Sequence, residues 1–178
     1  MNCPSCGHEN IDGIDRCENC LAPFRQLDIP SADAAEGLAR SVMEDNLKQL
    51  DRDEVIYTAP DATALEVARL MKNSNTGCAL VIDGNKLVGI FTEHDVLLKM
   101  TADAAGGRAL SPGDIANIPI KALMSPDPET LDETNSVAEA LNKMSLGRYR
   151  HIPFKKADGS YAVASIKSVL KYIAQEDW

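Results

Sequence analysis

The sequence of 178 residues contains no run of about 20 apolar residues, the length that a membrane-spanning helix needs. Its N-terminus also lacks the charged and then apolar pattern of a secretory signal. We therefore expect a cytoplasmic protein with no membrane partner. Hydrophobic residues make up 44% of the chain and charged residues 25%, which is the composition of an ordinary globular protein.

Basic charge is scarce, because 18 Lys and Arg residues stand against 27 Asp and Glu residues, for a net charge of −9. This balance argues against broad binding to nucleic acid or anionic lipid, which requires clustered basic residues. Residues 143–171 are the exception, with seven basic side chains and one acidic side chain. A local positive field in an acidic chain indicates a small anionic ligand. Lys155, Lys156 and Lys171 also fit the simpler interpretation of solvated faces.

The sequence contains none of the usual catalytic constellations. It has no paired carboxylates in an apolar context, no nucleophile elbow and no phosphate loop, and its three histidines lie on separate predicted elements. A binding or regulatory protein is therefore a better interpretation than an enzyme.

Four cysteines near the N-terminus form two CxxC pairs, Cys3 with Cys6 and Cys17 with Cys20. Paired knuckles of this kind place four thiolates around one tetrahedral metal, and a reducing compartment disfavours disulfides. The segment resembles a short zinc ribbon, with iron in a rubredoxin-like site as the alternative. A closed four-thiolate site leaves no position for water, so we expect a structural metal.

The second half of the chain repeats the first at a fixed offset of 73 residues. The aligned pairs are 63–71 with 136–144, Thr92 with Ser165, and Asp95 with Ser168. A fixed internal period of this kind predicts two copies of one structural unit.

Each copy has the pattern of a β-α-β-β-α unit, which predicts a mixed α/β (α+β) fold with the two copies packed as a pair. In the first copy we expect an extended segment at 55–58, helices at 63–72 and 93–100, and strands at 78–82 and 87–91. In the second copy the corresponding segments are 118–124, 136–144, 166–174, 150–154 and 161–165. The expected domains are a zinc ribbon (1–24), a linker helix (25–53), and the two copies (54–101 and 114–178).

The two copies resemble a tandem pair of cystathionine-β-synthase (CBS) domains. The resemblance is carried by Leu123-Met124-Ser125-Pro126, by 136–140, by the Arg150-His151-Ile152-Pro153 strand and by Gly89-Ile90-Phe91-Thr92-x-x-Asp95. It covers residues 54–175. No single motif is specific, but their order, spacing and duplication are. The resemblance implies association as a homodimer through the helices of the copies.

Thr92 and Asp95 stand three residues apart where a strand passes into a helix. Thr92 can cap that helix, and the Asp95 carboxylate can accept both hydroxyls of a ribose. The resemblance implies that this pair binds the ribose of an adenosine ligand; the alternative is a capped helix with a solvated Asp. Because Ser168 replaces the carboxylate in the second copy, we expect one nucleotide per chain.

Arg148, Arg150 and His151 flank the matching strand of the second copy and are candidate binding residues. The resemblance implies that Arg150 and His151 face phosphate across the cleft between copies. Arg offers a fork of donors suited to phosphate, and His adds a donor whose charge changes near neutral pH. Gly77 and Cys78 occupy the equivalent positions in the first copy and offer no such contact. His151 also fits a satisfied, half-buried histidine.

Three functions remain open on the sequence alone. The leading hypothesis is a regulatory module that senses AMP, ADP or ATP and transmits its ligand state to a partner. The second is a scaffold that dimerises without a nucleotide and contacts another protein through its zinc ribbon. Nucleic-acid binding by the ribbon ranks last, because the first 27 residues contain only Arg16 and Arg25 as basic residues.

Overall fold

The computed structural model describes residues 8–11, 16–19, 37–50, 54–101 and 116–174. These residues fall in two compact units that divide between Ser41 and Val42. In the first unit the buried Asn10 links two loops: its Nδ2 donates to the His8 carbonyl at 2.7 Å, and its Oδ1 accepts from the Glu18 amide at 2.9 Å.

The first copy has the predicted strand, helix, strand, strand, helix order. Helix α1 (Gly37–Glu44) and a 3₁₀ turn at Leu47–Leu50 precede it. Its elements are β1 (Ile56–Thr58), α2 (Ala64–Asn73), β2 (Cys78–Asp83), β3 (Lys86–Thr92) and α3 (Glu93–Asp95), which continues as a π-helix at Val96–Thr101. Strand β1 is parallel to β2, and β2 is antiparallel to β3.

The second copy repeats this order in a three-stranded sheet. A 3₁₀ turn at Ile120–Ala122 and a short strand β4 (Ser125–Pro126) precede it. Its elements are β5 (Leu131–Asp132), α4 (Val137–Gly147), β6 (His151–Lys155), β7 (Tyr161–Ser165) and α5 (Ile166–Ile173). Strand β4 pairs with β3 and so joins the sheet of the first copy. Among the described residues no helix is long and apolar enough to cross a membrane.

Strand register confirms the offset of 73 residues. The parallel pairs are Thr58 with Val81 and Leu131 with Phe154, and the antiparallel pairs are Cys78 with Thr92 and His151 with Ser165. Each pair in the second copy is therefore the image of a pair in the first. The two sheets are built alike, so equivalent sequence positions occupy equivalent places.

The two helices of each copy, four in all, begin in the same way. A Ser or Thr ends the preceding extended segment, accepts the amide of the third helical residue, and receives that residue's side chain on its own amide. This reciprocal capping box satisfies amides that the first turn of a helix leaves without partners. The cap pairs are Thr63 with Glu66, Thr92 with Asp95, Ser136 with Glu139, and Ser165 with Ser168.

Each copy binds the segment that precedes the other copy. The amide of Leu47 donates to the Asn135 carbonyl at 3.0 Å, and the amide of Ile120 donates to the Ala62 carbonyl at 2.7 Å. Leu47 and Ile120 are both fully buried. Because both contacts recur at the 73-residue offset, the exchange is reciprocal and ties the two copies together.

The core of the first copy lies between its sheet and α2. Its buried members include Val67, Met71, Val81 and Phe91, and Ile120 and Leu123 from the preceding segment complete it. Cys78 is buried in strand β2. Burial raises the pKa of its thiol to about 12, with a further contribution from the Glu93 carboxylate, so the thiol stays protonated and inert.

Two predicted elements differ from the structure. The prediction that 118–124 opens the second copy as an extended segment was wrong, because this apolar run turns at Ile120 and packs on the first copy, and the opening strand is β5. The linker helix is also shorter than predicted: within the described part of 25–53, α1 ends at Glu44 and only a 3₁₀ turn follows.

Candidate functional site

Thr92 and Asp95 form a closed hydrogen-bonded pair at the end of β3. The amide and the hydroxyl of Thr92 donate to Asp95 Oδ2 at 2.9 and 2.8 Å, and the Asp95 amide donates to Thr92 Oγ1 at 3.3 Å. The predicted cap is confirmed. Asp95 is only 5% exposed, however, so the alternative of a solvated Asp was wrong.

Ser125 supplies a third contact to this carboxylate. Its hydroxyl donates to Asp95 Oδ1 at 3.2 Å from strand β4. Ser125 belongs to the Leu123-Met124-Ser125-Pro126 motif, but no binding role was predicted for it from the sequence. The signal that would have found it is the pairing of β4 with β3, which brings position 125 to the end of the Thr92 strand.

Arg148 and Tyr149 follow helix α4 in a tight turn. Arg148 ends the helix in the left-handed region at φ 54°, and the Tyr149 amide donates to the Met144 carbonyl at 3.0 Å. The Tyr149 ring lies against Gly147, where an added Cβ would clash with the ring. The turn therefore presents the Arg148 side chain and a 45% exposed tyrosine side by side.

His151 begins β6 next to the exposed Arg150. Burial of the imidazole holds the His151 pKa below its ordinary value; the Glu93 carboxylate opposes this shift, and the Arg150 guanidinium adds to it. His151 is therefore neutral at neutral pH in the ligand-free chain.

All five predicted binding residues line one cleft of about 640 Å³ between the copies, which we call the first cleft. Thr92 and Asp95 come from the first copy, and Arg148, Arg150 and His151 come from the second. The lining is Ile90, Thr92, Glu93, His94, Asp95, Ser125, Pro126, Asp127, Pro128, Glu129, Gly147, Arg148, Tyr149, Arg150, His151 and Pro153. The structure thus brings together a carboxylate and a cationic group that are 53 or more residues apart in sequence.

Two kinds of residue in the first cleft were not predicted from the sequence. Tyr149, Ile90 and Pro153 add apolar surface, and acidic side chains at 93, 127 and 129 offset the two arginines. The Glu129 carboxylate is paired with the Lys143 ammonium. Single acids and an isolated tyrosine have no pattern of their own in the sequence, because only the fold places them at the rim.

A second, smaller cleft of about 280 Å³ lies at the equivalent positions of the other copy. Its lining is Glu54, Val55, Ser74, Asn75, Thr76, Gly77, Cys78, Glu93, Arg150, His151, Val163, Ser165, Ile166 and Lys167. Ser168 does not line it. The Ser168 hydroxyl accepts from the Ser165 amide at 2.8 Å and donates to the Ser165 carbonyl at 2.9 Å, so this side chain serves the helix cap alone.

Three of the four predicted metal ligands, Cys3, Cys6 and Cys20, lie outside the described residues. Cys17 is fully buried. The described residues contain no group of three or more side chains able to hold a metal. The buried thiol and the Asn10 link between the two loops suit a metal knuckle, and the site itself stays a prediction.

A family model described as CBS domain matches residues 47–102 and 120–174. An uncharacterized 17.7 kDa protein of Acidianus ambivalens is 31% identical over 131 residues, which cover 72% of this chain and 73% of that protein. The CBS domain-containing protein CBSCBSPB1 of Arabidopsis thaliana is 31% identical over 109 residues, 61% of this chain. The chain spans only 19% of the length of that plant protein.

Solved structures with the same fold include an uncharacterized conserved protein of Pyrococcus horikoshii, with 21% identity, a TM-score of 0.63, and coverage of 76% of this chain and 97% of that one. CBSX2 in complex with AMP has 17% identity and a TM-score of 0.59, with coverage of 75% and 99%. At these identities the likeness establishes the fold.

The two stretches matched by the family model take up more than half of the sequence, and they coincide with the two copies that the strand register relates by 73 residues. The chain therefore belongs to the CBS-domain family and contains two CBS domains in tandem.

Proposed function

We propose that this CBS pair is a regulatory, non-catalytic module that binds one adenosine nucleotide per chain in the first cleft. The observation that carries the proposal is the meeting of the Asp95 carboxylate with Arg148, Arg150 and His151 in one cleft of about 640 Å³. A ribose acceptor on one copy and phosphate donors on the other match the two ends of a nucleotide. Neither copy holds both sets.

Asp95 binds the ribose in this proposal. A ribose hydroxyl donates a hydrogen bond of the same type as the Ser125 hydroxyl, which now donates to Asp95 Oδ1 at 3.2 Å. The ribose would replace Ser125 at that oxygen, while Thr92 keeps Oδ2 fixed from the other side. The capping box thus holds the carboxylate in place before the ligand arrives, which reduces the entropy lost on binding.

Arg148, Arg150 and His151 bind the phosphate end. Both arginines are exposed at the cleft, and a guanidinium makes paired, charge-assisted hydrogen bonds to phosphate. His151 contributes an imidazole donor. Tyr149 adds an exposed ring on which a base can stack.

Ligand binding would act by differential affinity. A ligand that contacts both copies favours the arrangement in which Asp95 and Arg150 are close, and it shifts the population by its difference in affinity between arrangements. The solved complex of CBSX2 with AMP and a proposed archaeal homologue of g-AMPK from Methanocaldococcus jannaschii, with 22% identity and a TM-score of 0.62, are consistent with this class of function.

We also propose that the chain forms a homodimer through the helices of the two copies. Leu97 and Leu98 follow α3, and Leu170 and Ile166 lie on α5, and all four are between 44% and 61% exposed. Leu97 and Leu170 are equivalent positions at the 73-residue offset. Apolar side chains repeated on equivalent helices form a surface that a second copy can cover.

The test is calorimetry with the full, metal-loaded chain and AMP, ADP, ATP, adenosine and S-adenosylmethionine. Binding of an adenosine nucleotide at one per chain supports the proposal. Arg150→Ala should weaken the affinity for AMP by about tenfold or more, which corresponds to the loss of one hydrogen bond to a charged group. The affinity for adenosine should be unchanged. Lys155→Ala is the matched control, because Lys155 lies exposed on the same strand β6 and lines neither cleft.

Cys3, Cys6, Cys17 and Cys20 are proposed to bind one structural zinc ion. Such a site would fix the N-terminal unit, and its folding would depend on the metal. Cys17→Ser should release the metal, measured by elemental analysis, and should leave the thermal transition of the CBS pair in place. Zinc retained at one per chain would contradict the assignment of Cys17 as a ligand. Iron in place of zinc would instead identify a rubredoxin-like site.

A scaffold without a nucleotide is the second candidate, and the Asp95 geometry favours it. The carboxylate already accepts hydrogen bonds from Thr92 and Ser125, so no ligand is required to satisfy it. In that case no adenosine compound binds at millimolar concentration, and the protein still dimerises. The N-terminal unit would then bind a protein partner, and that binding would be lost when the metal is removed.

A further inference from the structure

His151 stands in the wall between the two clefts. Together with Arg150 and Glu93 it lines both of them. Arg150 is exposed, whereas the His151 ring is half-buried and enclosed by neighbours. The position of the imidazole is therefore set by what surrounds it.

The residue against which the ring rests is Gly77. A Cβ at Gly77 would lie 2.6 Å from His151 Nε2 and 2.8 Å from Cε1, closer than real Cβ atoms approach another atom. The Glu93 carboxyl carbon lies 3.3 Å from the same point. The backbone of Gly77 does not adopt positive φ, so glycine is required here for space and not for conformation.

The backbone at Gly77 is itself fixed. Its carbonyl accepts the amide of Glu93 at 3.0 Å, and Glu93 is the first residue of the helix that Thr92 caps. The equivalent bond in the second copy joins the Ile166 amide to the Arg150 carbonyl at 3.1 Å. A side chain added at 77 would therefore displace the imidazole before it displaced the backbone.

We propose that Gly77 is a positioning residue for nucleotide binding: the space that it leaves empty seats the His151 imidazole on the wall of the first cleft, at the phosphate end. Gly77 is equivalent to Arg150 at the 73-residue offset. One copy supplies the cation, and the other supplies the gap that the neighbouring imidazole fills. The inference rests on the proposed function, and it adds a residue that touches no ligand.

Gly77→Ala should displace the imidazole. We expect the AMP affinity to fall about tenfold, the value of one hydrogen bond to a charged group, and the adenosine affinity to stay within about twofold. Ser74→Ala is the matched control, because Ser74 lines the second cleft and not the first. This substitution removes one heavy atom, whereas Gly77→Ala adds one. The control should bind AMP like the wild type.

A double-mutant cycle isolates the route of the effect. If Gly77 acts through the imidazole, Gly77→Ala should change AMP affinity in the wild-type background and have no effect in the His151→Ala background. Equal losses in both backgrounds would overturn the proposal, since they would mean general damage to the cleft. A wild-type-like AMP affinity of Gly77→Ala would overturn it as well.

Failure of the proposed function is distinguishable from failure of this inference. The imidazole resonances of His151, observed by NMR and assigned through His151→Ala, report the position of the imidazole against Gly77 in the absence of ligand. Gly77→Ala should shift them and change the His151 titration midpoint, whereas Ser74→Ala should not. Unchanged resonances would refute the seat even if AMP binds. Shifted resonances in a chain that binds no AMP would support the seat and refute the nucleotide site.

Discussion

Replacing Asp95 by Ser separates ligand binding from helix capping, because in the second copy a serine at the equivalent position already completes the cap. At the equivalent position the Ser168 hydroxyl accepts the Ser165 amide at 2.8 Å, close to the 2.9 Å between the Thr92 amide and Asp95 Oδ2. Asp95→Ser should therefore keep the cap of α3 and remove only the carboxylate.

The magnitudes follow from the hydrogen bonds that change. Bonds to a carboxylate contribute about 1.5–3 kcal/mol each and neutral ones about 0.5–1.5, so Asp95→Ser should lower the free energy of unfolding by about 1–2 kcal/mol. Loss of the acceptor for two ribose hydroxyls should cost about 2–4 kcal/mol of binding, a factor of about 30 or more. Adenosine and AMP should lose affinity equally, because both carry the ribose.

Calorimetry with adenosine and AMP, and chemical denaturation in parallel, would measure both effects. Asp95→Ala is the comparison, since it removes the cap as well and should lose more stability for the same loss of affinity. An Asp95→Ser protein that binds adenosine like the wild type would refute the ribose assignment. A loss confined to AMP would place Asp95 at the phosphate end instead.

Three further results are expected. Ser125→Ala should tighten AMP about fivefold, because it removes the hydroxyl that competes for Asp95 Oδ1; weaker binding in calorimetry would mean that Ser125 itself contacts the ligand. The His151 pKa is lowered in the folded chain, so the unfolded chain binds more protons at mildly acidic pH. The free energy of unfolding should therefore fall as the pH drops below about 6.5. His151→Gln should reduce this dependence on pH, measured by denaturation at a series of pH values. Leu47→Ala should cost about 2–5 kcal/mol and reduce hydrogen-exchange protection in α4 more than in α2, and an equal loss in both helices would mean that the two copies unfold as one unit.

The order of the elements could be predicted from the sequence because each helix begins with a capping motif that is visible in a few consecutive residues. Thr92 with Asp95 and Ser136 with Glu139 are capping boxes within four residues of chain, and such short-range signals survive any tertiary arrangement. Their recurrence at one offset then fixed the register of both copies. The binding residues of the first cleft were predicted from the resemblance to CBS domains, which the recurrence of the motifs supported.

The apolar run from 118 to 124 shows where the sequence was insufficient. Its hydrophobic residues suit a strand as well as a segment that packs elsewhere, and only the fold shows that Ile120 is buried in the other copy. The contact between Ser125 and Asp95 was hidden for the same reason, because 30 residues separate the two side chains. Long-range pairings leave no periodicity in the sequence to detect.

The two clefts differ in the residues at equivalent positions, and this difference constrains the number of nucleotides bound per chain. The first cleft takes its carboxylate from one copy and its cations from the other, whereas the second cleft has no equivalent of the Asp95 carboxylate and is still lined by Arg150, His151 and Lys167. Ser168 stands for Asp95, and Gly77 stands for Arg150. A nucleotide held on one side only would stabilise the contact between copies asymmetrically, which favours a rotation of one copy against the other over uniform tightening. Two AMP molecules per chain in a calorimetric titration would contradict this asymmetry.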